Sequence, residues 1–187
     1  MIIGHLGIAM AARARWQRVP LALLAVASVA PDFVDLALRA LRVCAPAGVY
    51  SHSLPAAAAL AVLCGAATAL WQRSAAAGWM VVAMVLLHLP ADYITGLKIL
   101  WPGGPIVGLN LYAHPMADFA LEALIAVAGW RYLRARDRSS LWMRSWLTLA
   151  ALLALQAAME TIGSLKPNSS KIGPASSNGR AHVGRSA

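Results

Sequence analysis

Two apolar runs, Pro55–Trp71 and Ala75–Ala91, follow one another with only Gln72, Arg73 and Ser74 between them. About 17 apolar residues are the fewest that cross a ~30 Å hydrocarbon core as a helix. Both runs sit at that limit. Three more runs accompany them: Val19–Ala30, which can extend as helix to Leu41, then Pro115–Tyr132 and Leu141–Met159. Ile2–Ala12 is apolar but too short to span alone. Composition agrees, at 60% hydrophobic and only 12% charged, where a soluble domain carries about a quarter. No run alternates with the two-residue period of a barrel strand. The expected fold is therefore all-α: a polytopic membrane helical bundle of about five long helices plus a short N-terminal helix. It occupies residues 1–163, and the Ser-, Asn- and Gly-rich stretch 164–187 reads as a disordered polar tail.

Charge sets the expected orientation. Arg13, Arg15 and Arg18 precede the first long run, Arg73 lies between the next two, and Arg131, Arg134, Arg136, Arg138 and Arg144 crowd the last connection. If the four long runs from Val19 to Tyr132 each cross once, all these bases share one side. By the positive-inside rule that side is cytoplasmic. The opposite loops hold only Arg39, Arg42 and Lys98, apart from the basic tail. A cleaved signal peptide ending near Ser28–Ala30 is disfavoured, because Pro31 would follow the cut. Cys44 and Cys64 make no disulfide framework. The net charge of +9 lies in loops beside apolar runs without interleaved aromatics, so no nucleic-acid partner is expected. Trp71, Trp79, Trp101, Trp130, Trp142 and Trp146 lie near run ends, as an interfacial belt would.

The scarce polar groups are the sharper signal. Five of the seven acids, Asp32, Asp35, Asp92, Asp118 and Glu122, and four of the five histidines, His5, His52, His88 and His114, lie in or beside apolar runs. Ionisable groups are costly there and mark function. On the topology above nearly all gather at the non-cytoplasmic end, His5 joining them if Ile2–Ala12 folds back along Val19–Ala30. His88 and Asp92 are four residues apart and share a helix face; His114, Asp118 and Glu122 repeat that spacing. Imidazole with carboxylate suits zinc, with manganese or iron as alternatives. His5, Asp32, His52, His88, Asp92 and His114 are the expected metal ligands, with Asp35 and Asp118 as catalytic carboxylates. Ser51 and Ser53 flank His52 and can hydrogen-bond a ligand from behind. Pro90, between His88 and Asp92, is expected to kink its helix. Glu122 is expected to pair with an arginine of a neighbouring helix, and Asp137, among arginines, to be a solvated loop charge.

The ordered series His5, Pro31-Asp32-x-x-Asp35, Ser51-His52-Ser53-Leu54, His88-x-x-x-Asp92-x-x-Thr95-Gly96 and Leu100-Trp101-Pro102 resembles a bacterial family. It is the LexA-binding, inner-membrane-associated family, to which a metal-dependent hydrolase activity is ascribed. The likeness covers roughly residues 1–135. It implies a multi-pass protein of the bacterial inner membrane with a divalent-metal site. The chain departs from the family before His52, where Ala47-Gly48-Val49-Tyr50 replaces His-Arg-Gly, and after Pro102, where Gly103-Gly104-Pro105 follows. A more distant likeness, in the order of candidate ligands alone, is to helical zinc phospholipases C.

Together these features point to a membrane-embedded, metal-dependent hydrolase of a phosphoester, a lipid or a small molecule, using a metal-activated water. The alternatives are a non-catalytic structural or regulatory membrane partner and a haem-binding bundle. Carboxylates beside each histidine argue against haem, whose ligation needs none. Zinc-protease, serine-hydrolase and phosphate-loop motifs are all missing from the sequence.

Overall fold

The computed structural model describes residues 2–43, 50–137 and 145–165. The chain is all-α as expected. Its helices are α1 (Ile2–Arg15), α2 (Leu21–Ser28), α3 (Ala30–Ala40), α4 (Leu54–Trp71), α5 (Ala75–Thr95), α6 (Pro115–Arg136) and α7 (Trp146–Leu165). A two-stranded antiparallel hairpin, β1 (Lys98–Ile99) with β2 (Ile106–Val107), caps the end of α5. Cys44, Arg138, Trp142, Arg144 and the tail from Lys166 onward lie outside the described residues.

The helix ends follow local chemistry. Ser74 caps α5, its hydroxyl accepting the Ala77 N–H at 3.3 Å. The run from Val19 does not continue straight to Leu41; it breaks at Val29, and α2 and α3 meet at 58°. Pro31 explains the site of the break, since proline lacks the N–H a continuous helix needs but fits a first turn. Pro90 lies inside α5, which runs on through it to Thr95. Among the described residues two helices, α4 and α5, are long and apolar enough to cross a membrane, and the bent pair α2–α3 passes the same test when taken as one span.

The short first helix is the centre of the bundle rather than its periphery. Ala9 and Ala12 join α2, α4 and α5 in one apolar cluster, while Met10 and Ala14 join α6 and α7 in a second. Burial on all sides removes the need for α1 to be long enough to span. It lies along α6 in the same direction, and small residues set the spacing. A Cβ on Gly129 would sit 2.0 Å from the Gly7 carbonyl oxygen, and one on Gly7 would sit 2.6 Å from that of Ile125. Close backbone approach of this kind is how helices pack where lipid removes the hydrophobic drive.

Carboxylates clamp both ends of that pair, and the second corrects the sequence reading. Glu122 is buried and reaches backbone across the helix pair: its Oε2 accepts the N–H groups of Ile3 and Gly4 at 3.0 and 3.1 Å. Those donors have no partner within the helix, and an anion there opposes the positive end of the helix dipole. Asp137 is likewise buried, not solvated, and accepts from Arg13 Nε at 2.7 Å. Neither pairing is local in sequence. Trp71, Trp79, Trp101 and Trp146 are exposed as a belt requires, but Trp130 is a core residue, 1% exposed, against Met10 and Leu133.

Candidate metal centre

Three parts of the chain deliver donors to one point near the break between α2 and α3. Asp32 comes from the first turn of α3, His52 from the segment before α4, and His88 and Asp92 from the last turns of α5. One donor atom from each lies within 4.8 Å of all the others. His52 Nε2 is 3.0 Å from His88 Nε2, 3.1 Å from Asp92 Oδ2 and 3.3 Å from Asp32 Oδ1. His88 Nε2 is 3.6 Å from Asp92 Oδ2 and 3.8 Å from Asp32 Oδ1. A tetrahedral zinc site with bonds of about 2.0–2.1 Å has edges of roughly 3.4 Å, and these distances bracket it.

The outer hydrogen bonds decide which nitrogens face inward. His88 Nδ1 lies 2.8 Å from the Ser28 carbonyl oxygen, which can only accept, so Nδ1 carries the proton. His52 Nδ1 lies 2.6 Å from Ser51 Oγ, and the Ser51 hydroxyl donates to Asp35 Oδ1. Ser51 then accepts from Nδ1–H. Each neutral imidazole is thereby left with its Nε2 lone pair aimed at the other's. Two lone pairs 3.0 Å apart repel unless a proton or a cation lies with them. This is the tautomer arrangement that metal-binding histidines are given by their outer partners. The donor set fits a divalent ion.

Burial lowers the proton affinity of His52, but in its protonated form Nε2–H would donate to Asp32 and Asp92, which outweighs burial and raises its pKa above the ordinary histidine value. A proton therefore competes with the ion at His52 up to a higher pH than at a free imidazole, and affinity falls on acidification. The Ser51 relay gives a separate test. Ser51→Ala should weaken metal binding by about 10–100-fold with all four donors intact, and Ser51→Thr should restore it. Competition with a chromophoric chelator measures both; unchanged affinity in the alanine variant would remove Ser51 from the site.

The other expected site residues fall into distinct places. His5, 1% exposed, stacks on His88 at 4.1 Å between ring centroids, with Nε2 3.9 Å from Asp92 Oδ1. It packs against His88 and Asp92 and lies outside the four-residue group. Asp35 sits behind His52, on Ser51, rather than facing the donor point. Asp118 is fully buried on α6, one turn before Glu122, and outside the four-residue group. His114 is exposed and also outside it. It precedes the first turn of α6 with φ −127° and ψ 76°, so the helical period relating Asp118 to Glu122 does not extend to it.

Two participants had no clear signature in the sequence. Lys98 Nζ lies 2.9 Å from Asp92 Oδ2, held there by the hairpin pairing of Lys98 with Val107. The hairpin is tied to the rest of the site end: the Leu54 N–H donates to the Leu100 carbonyl, and the Tyr93 hydroxyl to the His52 carbonyl. Lys98 had read only as a stray outer-loop base. The second is the Ser28 carbonyl, a backbone group that no residue type announces.

The family model of the YdjM inner membrane protein matches residues 1–162. No curated protein and no solved structure matches the chain.

Proposed function

We propose, since the chain belongs to the YdjM inner membrane protein family, that its four-residue cluster is the metal centre of a membrane-embedded phosphoester hydrolase. The observation that carries this reading is the pair of Nε2 lone pairs converging with two carboxylates. Asp32, His52, His88 and Asp92 hold the ion, with zinc first and manganese or iron next in suitability. A divalent ion there supplies Lewis acidity and a water of lowered pKa. His5 closes the buried side of the cluster. Asp32, with a side chain 38% exposed against 3% or less for the other three, is its solvent-facing member. Substrate enters on that side, and the second oxygen of Asp32 accepts a proton there. Asp35 acts through Ser51 as a positioning residue, and Asp118 supports the core of α6. Lys98 places a positive charge beside Asp92, where it offsets the negative charge of a phosphoryl group. The site faces the non-cytoplasmic side, away from the arginine-rich turns.

Hydrolysis of bis(4-nitrophenyl) phosphate by the detergent-purified full chain tests this. Chelator treatment should lower turnover on the order of a hundredfold, and zinc or manganese should restore it. Turnover that survives complete metal removal would sink the metal-dependent mechanism. Stoichiometric metal without hydrolysis of any phosphoester would leave a metal-binding membrane partner instead.

A further inference from the structure

At the opposite end of the bundle, the α1–α2 and α4–α5 turns border a half-open cavity of about 840 Å³. Arg15 and Arg18 reach it from the first turn and Arg73 from the second. Arg13, their neighbour, is committed to structure: it pairs with Asp137 and donates to the Val19 carbonyl at 2.9 Å. Among the described residues no carboxylate lies within ion-pair distance of Arg15, Arg18 or Arg73. Three like charges around one cavity raise its affinity for an anion.

The rest of the lining narrows the choice of anion. Buried Val19 and half-buried Met80 make part of the wall apolar, and Trp16, 45% exposed with Arg15 over its ring, stands at the rim. Trp71 and Trp79, 74% and 73% exposed, flank the α4–α5 turn. Exposed tryptophans at the ends of apolar helices mark headgroup depth. Basic pockets between helix ends at that depth suit lipid phosphates. We infer that this cavity binds the headgroup of an anionic phospholipid, with Arg15, Arg18 and Arg73 around the phosphate and Trp16 against the glycerol and upper acyl region. A soluble anion would need the charge but not the apolar wall.

Native mass spectrometry of the full chain in detergent, with equimolar phosphatidylglycerol and phosphatidylcholine, tests the site. One phosphatidylglycerol per chain should be retained, with a preference on the order of a hundredfold for three arginines. Arg15→Gln, Arg18→Gln and Arg73→Gln should each reduce it about fivefold. Arg131→Gln, at the same end but outside the cavity, should leave it unchanged. Equal retention of the two lipids, equal loss in Arg131→Gln, or full displacement of the lipid by millimolar inorganic phosphate would overturn the inference. Melting curves identify any variant that fails to fold, and the remaining single substitutions then carry the comparison.

Discussion

Alanine in place of His88 should leave the purified protein without its stoichiometric divalent metal. His88 contributes one of two neutral nitrogens to the donor set, and its tautomer is held by the Ser28 carbonyl 2.8 Å away. Removing it leaves His52 with two carboxylates and the Lys98 ammonium, a set poorer in nitrogen and already partly neutralised. Loss of an outer-shell partner alone costs 10–100-fold in affinity, so loss of a donor should exceed about a hundredfold. Elemental analysis beside wild type reads the effect directly. His114→Ala is the matched control, since His114 is exposed and outside the four-residue group; it should keep its metal. Equal metal in wild type and His88→Ala would refute the site.

Gly129→Ala should destabilise the bundle strongly, by about 3 kcal/mol, the upper end for forced overpacking. The added carbon would lie 2.0 Å from the Gly7 carbonyl oxygen and 2.7 Å from its carbon. Backbone atoms cannot rotate away as a side-chain tip can, so α1 must shift along its whole length. Glu122 on the Ile3 and Gly4 amides and Asp137 on Arg13 resist that shift at either end. The unfolding midpoint in detergent should fall markedly, whereas Ala128→Val, at the adjacent exposed position, should change it little. Metal binding should survive in whatever fraction folds, because none of the four donors lies on α1 or α6. An unchanged midpoint would mean that the helices do not approach this closely.

The legible parts of the site were those governed by one helix at a time. His88 and Asp92 share a face because the helical period places them there, and α5 confirms it. Asp32, Asp35 and His52 were readable as polar groups at run ends, and of these five residues all but Asp35 became donors. The same spacing argument failed at His114, which lies before its helix begins. It also gave no access to Glu122 or Asp137, whose partners are more than a hundred residues away. Membership of an inner-membrane family, expected from the ordered motifs, follows from the matched family model.

Apolar periodicity and the scarcity of charge were enough to determine an all-α membrane protein with its acids and histidines concentrated at run ends. Both are one-dimensional properties: a helix that must satisfy its own backbone in lipid leaves its pattern in the chain. The tertiary structure alone decided that the short first helix is the central one, that α2 and α3 break beside the site, and that Lys98 reaches Asp92. Those outcomes depend on backbone approach and on hydrogen bonds between distant segments, and neither has a period that a linear sequence can display.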